Sequence, residues 1–217
     1  MKAPAPGIQL EVELWQRGLK LVAGVDEAGR GALAGPVYAA AVVLPDDPKV
    51  ESLLLGVRDS KLMTANQREK MAGEIKNHAS GWGVGFSSTK EINEMGILPA
   101  TRQAMWRAIQ NLPQMPDFLL MDFIHWPGLK HPHKSMPKGE SLSLSIAAAS
   151  VLAKTARDAR MREMDGEFPG YELAQHKGYG TTAHCAAIAR LGPMAEHRTL
   201  FVRNVLAAIK TIQITLL

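Results

Sequence analysis

The chain contains one cysteine and no long apolar run among its 217 residues. Because Cys185 stands alone, no disulfide can form within the chain. No apolar run approaches the roughly 20 residues that span a bilayer, and the opening residues lack the apolar core of a signal peptide. We therefore expect a cytoplasmic protein with no membrane partner.

Internal repeats and low-complexity linkers are also absent. A hydrophobic content of 46% argues against disorder, and the length suits one large domain. We expect residues 1–18 to form a loose N-terminal extension with one amphipathic turn, and residues 19–217 to form a single domain that acts as a monomer. The formal net charge of +4 is compatible with a nucleic-acid partner but does not require one.

Apolar runs and helical patterns alternate along the chain, which predicts an α/β domain with a mixed sheet. The first two strands are joined by few residues, so we expect them to pair antiparallel. The predicted strands cover residues 19–26, 36–44, 81–88 and 117–122. The predicted helices cover residues 65–78, 89–95, 98–111 and 144–163, with shorter helices beyond. Residues 125–140 are predicted to be a loop.

Two adjacent carboxylates, Asp26 and Glu27, end the first apolar run and are followed by Gly29, Arg30 and Gly31. Like charges raise each other's pKa, and a divalent cation removes that penalty. Glycines on both sides of an arginine let the backbone approach a phosphate or sugar closely. The alternative for the acidic pair is a solvated turn.

A third carboxylate, Asp122, closes the apolar run at residues 118–121. Sites in α/β sheets gather at the carboxyl ends of strands, so this position favours a site shared with Asp26 and Glu27. Taken alone, Asp122 could equally be a capping residue.

The stretch from Asp26 to Pro45 strongly resembles the signature of type 2 ribonuclease H, ribonuclease HII. Six further blocks follow in the order of that family, which makes the signal very specific. They are Asp59-Ser60-Lys61-Leu62 with Arg68, Asp122, Lys138-Gly139-Glu140, the segment 145–154, Gln175-His176-Lys177-Gly178-Tyr179-Gly180-Thr181, and His197-Arg198-Thr199-Leu200-Phe201.

The resemblance implies an RNase H-like mixed β-sheet flanked by helices, with a helical C-terminal portion. It also implies a metal-dependent endoribonuclease that hydrolyses the RNA strand of RNA/DNA hybrids and cleaves 5′ of ribonucleotides embedded in duplex DNA. The products would carry 3′-hydroxyl and 5′-phosphate ends. Asp26, Glu27, Asp122 and Glu140 would hold two Mg²⁺ or Mn²⁺ ions, which is the usual way such sites hydrolyse phosphodiesters.

Glu140 departs from the family, which usually has aspartate at this position. Glutamate is one methylene longer and could still reach a metal; the alternative is an ordinary loop glutamate. Asp158 is a competing acidic candidate, although an Arg-Asp pair within a helix more often serves structure.

By the same resemblance, the backbone of Gly29, Arg30 and Gly31 reads the 2′-hydroxyl, which is both donor and acceptor. Tyr179 would pack on the sugar 3′ of the ribonucleotide. A tight turn and a packing tyrosine are the respective alternatives. The residues that could hold phosphates, each otherwise a solvated surface charge, are Lys61, Lys154, His176 and Lys177.

Competing functions follow from the same features. A junction resolvase of the same broad fold is disfavoured by the Gly-Arg-Gly loop and Tyr179, and a non-catalytic nucleic-acid-binding protein by the four acidic positions. A ribonuclease HIII would carry an added N-terminal domain, for which we expect no room. The three histidines at residues 125, 131 and 133 lack a fourth ligand of suitable spacing for zinc.

The C-terminal residues Gln213–Leu217 resemble the short motif with which bacterial proteins bind the sliding clamp. They depart from it at Ile214 and in ending with leucine. The alternative is the end of a helix that starts near Thr199 and packs Ile212 and Leu216 on the domain.

Overall fold

The structure is a computed structural model that describes residues 5–215, with side chains described as far as residue 207. A sheet of five strands lies between helices. The strands are β1 (Val22–Ala28), β2 (Val37–Val43), β3 (Gly81–Ser87), β4 (Phe118–Asp122) and β5 (His133–Met136). The helices are α1 (Gln9–Gln16), α2 (Val50–Leu53), α3 (Ala65–His78), α4 (Thr89–Met95), α5 (Ile97–Gln110), α6 (Leu144–Glu167), α7 (Leu173–His176), α8 (Thr182–Leu191) and α9 (Thr199–Thr215).

The strand order across the sheet is β3-β2-β1-β4-β5. β1 pairs antiparallel with β2, as predicted, and β2 pairs antiparallel with β3. β1 and β4 are parallel, as are β4 and β5. The prediction of a mixed sheet is confirmed, but residues 125–140 are not all loop, because β5 forms the sheet edge within them.

Helix α6 covers one face of the sheet. Its alanines Ala147, Ala148 and Ala149 are fully buried there. The approach is close: a Cβ added to Gly24 in β1 would lie 2.1 Å from the carbonyl carbon of Ser145. Small residues on both sides therefore bring α6 against the strand that carries Asp26.

Helix α5 covers the opposite face, and β3 meets it through glycines. Trp82 and Phe86 lie on the face of β3 that points away from α5, and both are partly exposed. A Cβ added to Gly83 or Gly85 would lie within 2.5 Å of the main-chain oxygens of Ala108 or Ala104. At Gly83 and Gly85 the strand presents backbone without side chains to α5, so this helix can lie directly on the sheet.

Within the N-terminal segment, Gln9–Gln16 form a helix packed on the domain, so the prediction of a loose start with one turn is wrong for these residues. Leu14 and Trp15 of α1 are buried in the core on the α6 side. The Glu11 carboxylate is also buried, where it accepts hydrogen bonds from the Ser143 hydroxyl at 2.6 Å and from the Ser145 amide at 3.0 Å. A carboxylate at the first turn of α6 suits the positive end of the helix dipole.

Helix starts agree closely with the sequence. Thr64 caps α3 in a reciprocal capping box with Gln67, and Ser88 does the same for α4 with Glu91. Helix α6 continues four residues beyond the predicted end at residue 163. The helical C-terminal portion is confirmed as α7 to α9. None of the described helices is long and apolar enough to cross a membrane.

Candidate active site

Two candidate carboxylates meet because their strands are parallel neighbours. Val25 pairs with Met121 in the β1–β4 register, and Asp26 and Asp122 are the next residues on each strand. Residues that follow paired positions on neighbouring parallel strands lie side by side. β1 continues to Ala28, so Asp26 lies within its strand and not at the predicted strand end. Its pairing with β4 ends at Val25, which places Asp26 beside Asp122.

Asp26 is the most deeply buried of the four candidate carboxylates, with 6% of its surface exposed. Its Oδ1 accepts a hydrogen bond from the Glu27 amide at 2.7 Å. Burial raises the pKa of Asp26 well above its usual value, and the negative charges of Glu27, Asp122 and Glu140 raise it further. Free energy is therefore needed to keep Asp26 ionised without a cation nearby.

Glu27 forms an ion pair with Arg30. Its Oε1 lies 3.3 Å from Nε of Arg30. Burial raises the pKa of Glu27, the Arg30 guanidinium lowers it, and Asp122 raises it again, with a raised pKa as the net result. The arginine between the two glycines thus partly compensates the acidic cluster.

Asp122 orders the turn that carries Glu140. Its Oδ1 accepts a hydrogen bond from the Gly139 amide at 2.8 Å. The turn starts at Lys138, which has the left-handed φ of 57° that side chains rarely adopt. A Cβ at Gly139 would lie 2.8 Å from the Cδ1 methyl of Ile146, so a larger residue here would require that side chain of α6 to shift.

Glu140 lies in this turn, 8% exposed. Burial and the neighbouring Asp122 raise the pKa of the Glu140 carboxyl. Its Oε2 atom is buried and has no hydrogen-bond partner among the described residues. A buried carboxylate oxygen without a donor is costly, and a cation would satisfy it.

The donor set fits a hard divalent cation. All four side chains offer oxygen ligands, as Mg²⁺ and Mn²⁺ prefer, and their mutual repulsion is what a cation removes. Within the described residues, no three of the side chains that bind metals already surround one point as a preformed cage. Mg²⁺ keeps several of its waters and needs only a few direct carboxylate ligands, so a loose arrangement of this kind suits it.

The Gly29–Gly31 loop borders the acidic residues in a cleft of about 240 Å³. Gly29 has a φ of 93°, and a Cβ there would lie 1.9 Å from Nε of Arg157. At Gly31, by contrast, a Cβ would meet no protein atom within 4 Å. Glycine at position 29 is thus required by the fold, whereas at position 31 it leaves room in the cleft.

Lys61 lines the same cleft as Asp26, Glu27 and Asp122. Asp59 caps its turn by accepting from the Lys61 amide at 2.9 Å, and Arg68 donates to the Ser60 and Met63 carbonyls. Partial burial acts to lower the pKa of Lys61, but Asp59 and the candidate carboxylates raise it, and the net shift is upward. Lys61 therefore stays charged beside the acidic cluster.

Tyr179 also lines the cleft, and two cations lie over its ring. The Arg157 guanidinium carbon is 5.2 Å and the Lys154 Nζ 5.3 Å from the centre of its ring. Such cation–π contacts hold the ring in place. Lys154 also pairs with Asp158 at 2.7 Å.

Two of the residues suggested to hold phosphates do not line this cleft. His176 uses both ring nitrogens on main-chain groups, those of Gly178 and Tyr171. Lys177 donates from Nζ to the Ala174 carbonyl and has a left-handed φ of 53°. Lys61 and Lys154 are brought to the cleft, whereas these two support the loop behind it.

Asp158 is not part of the acidic cluster. It pairs with Arg68 at 3.1 Å and with Lys154 at 2.7 Å, joining α6 to α3. The prediction that this aspartate serves structure is confirmed.

Sequence reasoning missed two buried arginines that support the cleft. Arg157 donates to the carbonyls of Ala34, Pro36 and Lys177, and Arg198 donates to those of Arg30 and Gly35. Both guanidiniums are fully buried. Their partners are main-chain carbonyls, which leave no pattern in the sequence.

The sheet order and the acidic cleft define a protein of the ribonuclease H-like class. Solved structures agree with this fold. Ribonuclease H2 from Pyrococcus horikoshii OT3 matches with a TM-score of 0.70 at 23% identity, covering 87% of this chain and 98% of that one. Bst-RNase HIII, determined in complex with Mn²⁺, matches with a TM-score of 0.63 at 19% identity, covering 88% and 70% respectively.

Sequence comparison gives the family. The model of the Ribonuclease HII family matches residues 23–205. Ribonuclease HII of Syntrophotalea carbinolica is 50% identical over 194 residues, which are 89% of this chain and 91% of the relative. Ribonuclease HII of Acetivibrio thermocellus is 48% identical over 194 residues, 89% of this chain and 74% of the relative.

The chain belongs to the ribonuclease HII family. It is an endoribonuclease of the ribonuclease H class, and it acts on RNA/DNA hybrids. The activity of this class depends on a divalent metal.

Proposed function

We propose that the protein hydrolyses the RNA strand of RNA/DNA hybrids and also cuts 5′ of single ribonucleotides embedded in duplex DNA. The products carry 3′-hydroxyl and 5′-phosphate ends. The observation that carries the proposal is that one cleft is lined by Asp26, Asp122, the Gly29–Gly31 loop and Tyr179. The carboxylates that would act on the phosphate, the loop that would approach the sugar and the Tyr179 ring therefore lie in one cleft.

Asp26, Glu27, Asp122 and Glu140 would hold two Mg²⁺ or Mn²⁺ ions. When bound, such ions stabilise the attacking and leaving oxygens of an in-line displacement. The unpartnered Oε2 of Glu140 and the repulsion around Asp26 support this assignment. Lys61 adds a positive charge next to the acidic cluster, where it can bind a phosphate of the scissile strand.

Substrate reading would come from the loops. The backbone of Gly29, Arg30 and Gly31 contacts the 2′-hydroxyl, and the open space at Gly31 supports a close approach. Tyr179 packs on the sugar that follows the ribonucleotide, with Lys154 beside it for a phosphate. DNA lacks the 2′-hydroxyl and would be rejected at the first of these contacts.

The test uses a duplex with one embedded ribonucleotide, a continuous hybrid and an all-DNA four-way junction. Cleavage is compared in Mg²⁺ and Mn²⁺, and both product ends are mapped. We expect cleavage of the first two substrates, with a 5′-phosphate and a 3′-hydroxyl. Cleavage of the all-DNA junction would instead support a resolvase.

A second proposal concerns the sliding clamp. The supporting observation is the structure of a PCNA:RNase HII complex from Archaeoglobus fulgidus, in which the ribonuclease has the same fold at 21% identity. Helix α9 begins at Thr199 and its backbone continues to Thr215, whereas Leu216 and Leu217 lie outside the described residues. We propose that Gln213–Leu217 dock on a clamp. Deleting residues 213–217 should abolish clamp capture without lowering Tm; a lowered Tm would favour packing of the tail on the domain.

A further inference from the structure

Three histidines form a stack behind the Tyr179 loop. The ring centres of His176 and His184 are 4.2 Å apart, and those of His184 and His197 are 5.2 Å apart. His184 is fully buried and His197 is 3% exposed. These histidines are not candidate metal ligands, and they are not among the residues that line the cleft.

The hydrogen bonds of the stack run in one direction. The Met194 amide donates to Nδ1 of His197 at 2.8 Å, so the proton of His197 is on Nε2. That Nε2–H faces Nε2 of His184 at 3.1 Å and donates to it. The proton of His184 is then on Nδ1, which lies 3.0 Å from the Tyr179 carbonyl oxygen and donates to it.

The third ring holds the same loop from the preceding residue. The Gly178 amide donates to Nδ1 of His176 at 3.1 Å, and Nε2–H of His176 donates to the Tyr171 carbonyl at 2.6 Å. The Tyr179 amide donates to the His176 carbonyl at 3.0 Å. The backbone on both sides of the 178–179 peptide is therefore anchored to the stack.

Neutral rings are required by this arrangement. A second proton on any of the three would place two donors face to face. Burial lowers the pKa of His184 and, with the neighbouring His184 ring, lowers the pKa of His197 to about 4. Tyr171, whose ring lies edge-on to His197, is the other titratable side chain in ring contact with the stack among the described residues.

We infer that His184 and His197 are positioning residues that hold the Tyr179 backbone, and through it the Tyr179 ring, in the register needed at an RNA-to-DNA junction. This inference rests on the proposed role of Tyr179. The Tyr179 carbonyl also accepts from the Thr181 amide at 2.8 Å, so the histidine supplies the second of two bonds and fixes the orientation of the peptide.

The first test measures the protons themselves. Side-chain ¹⁵N NMR of histidine-labelled protein at pH 7 should show His184 protonated on Nδ1, and His176 and His197 protonated on Nε2. A His184 protonated on Nε2, or charged at this pH, would overturn the inference. This readout does not depend on nuclease activity and so separates the inference from the proposed function.

The second test measures substrate choice as the ratio of cleavage at a single ribonucleotide to cleavage of a continuous hybrid. His184→Ala should lower this ratio about tenfold, the usual effect of losing one buried hydrogen bond. His184→Asn should restore most of it, because its amide N–H can replace Nδ1–H. His78→Ala on α3, which lies away from the stack, is the control and should leave the ratio unchanged.

A double-mutant cycle completes the test. In a Tyr179→Ala background, His184→Ala should change the ratio no further, because both act through one contact. Equal losses on both substrates, or additive losses of the ratio, would overturn the inference. A Tyr179→Ala variant with an unchanged ratio would overturn the role of Tyr179 and the inference with it.

Discussion

Asp26 is ionised only at a cost in this molecule, because it is buried among three other carboxylates. Asp26→Asn should remove the metal site, and we expect cleavage to fall by about 100-fold or more. Duplex affinity should persist, since phosphate contacts dominate it. At pH 7 without metal, the variant should melt at a higher temperature than wild type, because one repelled charge is gone.

The matched control for this prediction is Glu94→Gln on α4, where an exposed carboxylate lies 3.9 Å from Lys90. It should change neither the rate nor the melting temperature. Retention of more than about a tenth of the wild-type rate by Asp26→Asn would contradict the metal assignment.

Glu140 tests whether a longer carboxylate serves in the place of the usual aspartate. Glu140→Asp should keep or raise activity, whereas Glu140→Gln should lower it at least tenfold, because the amide cannot compensate a cation. Activity measured over a range of Mg²⁺ concentrations shows whether Glu140 is a metal ligand or an ordinary loop residue. If Glu140→Gln behaved as wild type throughout the titration, Glu140 would not be a ligand.

Tyr179 tests substrate choice at the residue scale. Tyr179→Ala should reduce cleavage at a single embedded ribonucleotide more than cleavage of a continuous hybrid. Loss of a stacking partner costs about 1–3 kcal/mol, or roughly 5- to 150-fold. Steady-state kinetics on both substrates provide the measurement, and equal losses would mean that Tyr179 supports structure alone.

At the scale of elements, helix α1 is tied to the active-site side of the fold through Glu11. Its Oε1 accepts from the Ser143 and Ser145 hydroxyls, both at 2.6 Å, at the start of α6. The two hydroxyls lie 3.0 Å apart and can still bond to each other, but Glu11→Ala would leave one of them and the Ser145 amide without this acceptor. We therefore expect a loss of about 1–3 kcal/mol in the free energy of unfolding. Urea denaturation measures it, and Glu13→Ala on the same helix is the control.

The sequence predicts those helices and strands that are determined by neighbouring residues, such as a capping box or an apolar run. The capping box at Thr64 and the apolar runs of β1 and β4 define their elements without help from distant residues. β5 was missed because its sequence, His133 to Met136, is polar and three of its four residues are exposed. Helix α1 was missed because its first residues carry no capping side chain.

In the candidate site, too, some residues could be predicted from local sequence patterns and others could not. The apolar runs that precede Asp26 and Asp122 were enough to expect these two side chains close together, whereas Glu140 depended on the resemblance to a family. His176 and Lys177 could not be separated from Lys61 and Lys154 by sequence, because all four are polar residues in suitable blocks. Only the fold shows that the first two serve the main chain behind the cleft.

At the scale of the whole molecule, two groups of side chains respond to pH in opposite directions. The lowered pKa of His197 means that the unfolded chain binds more protons, so this contribution to stability is lost as pH falls from about 6.5 to about 4. The raised pKa values of Asp26, Glu27 and Glu140 have the reverse sign, and their contribution is lost as pH rises above the unfolded values.

A divalent metal should therefore stabilise the protein more at pH 8 than at pH 5, because it competes with protons for the same carboxylates. Melting temperatures measured with Mg²⁺ and with a chelator at both pH values test this. The stabilisation should vanish in Asp26→Asn. An equal rise at both pH values, or a rise that survives in the variant, would place the bound metal elsewhere.

Arg157 joins two stretches of chain that are far apart in sequence. One guanidinium donates to the carbonyls of Ala34 and Pro36 and to that of Lys177, and the same group lies over Tyr179. The segment that follows the Gly-Arg-Gly loop and the loop that carries Tyr179 are therefore anchored to the same side chain. In chimeras made between relatives, the residue at position 157 must therefore match both segments at once, even when only one of them is exchanged.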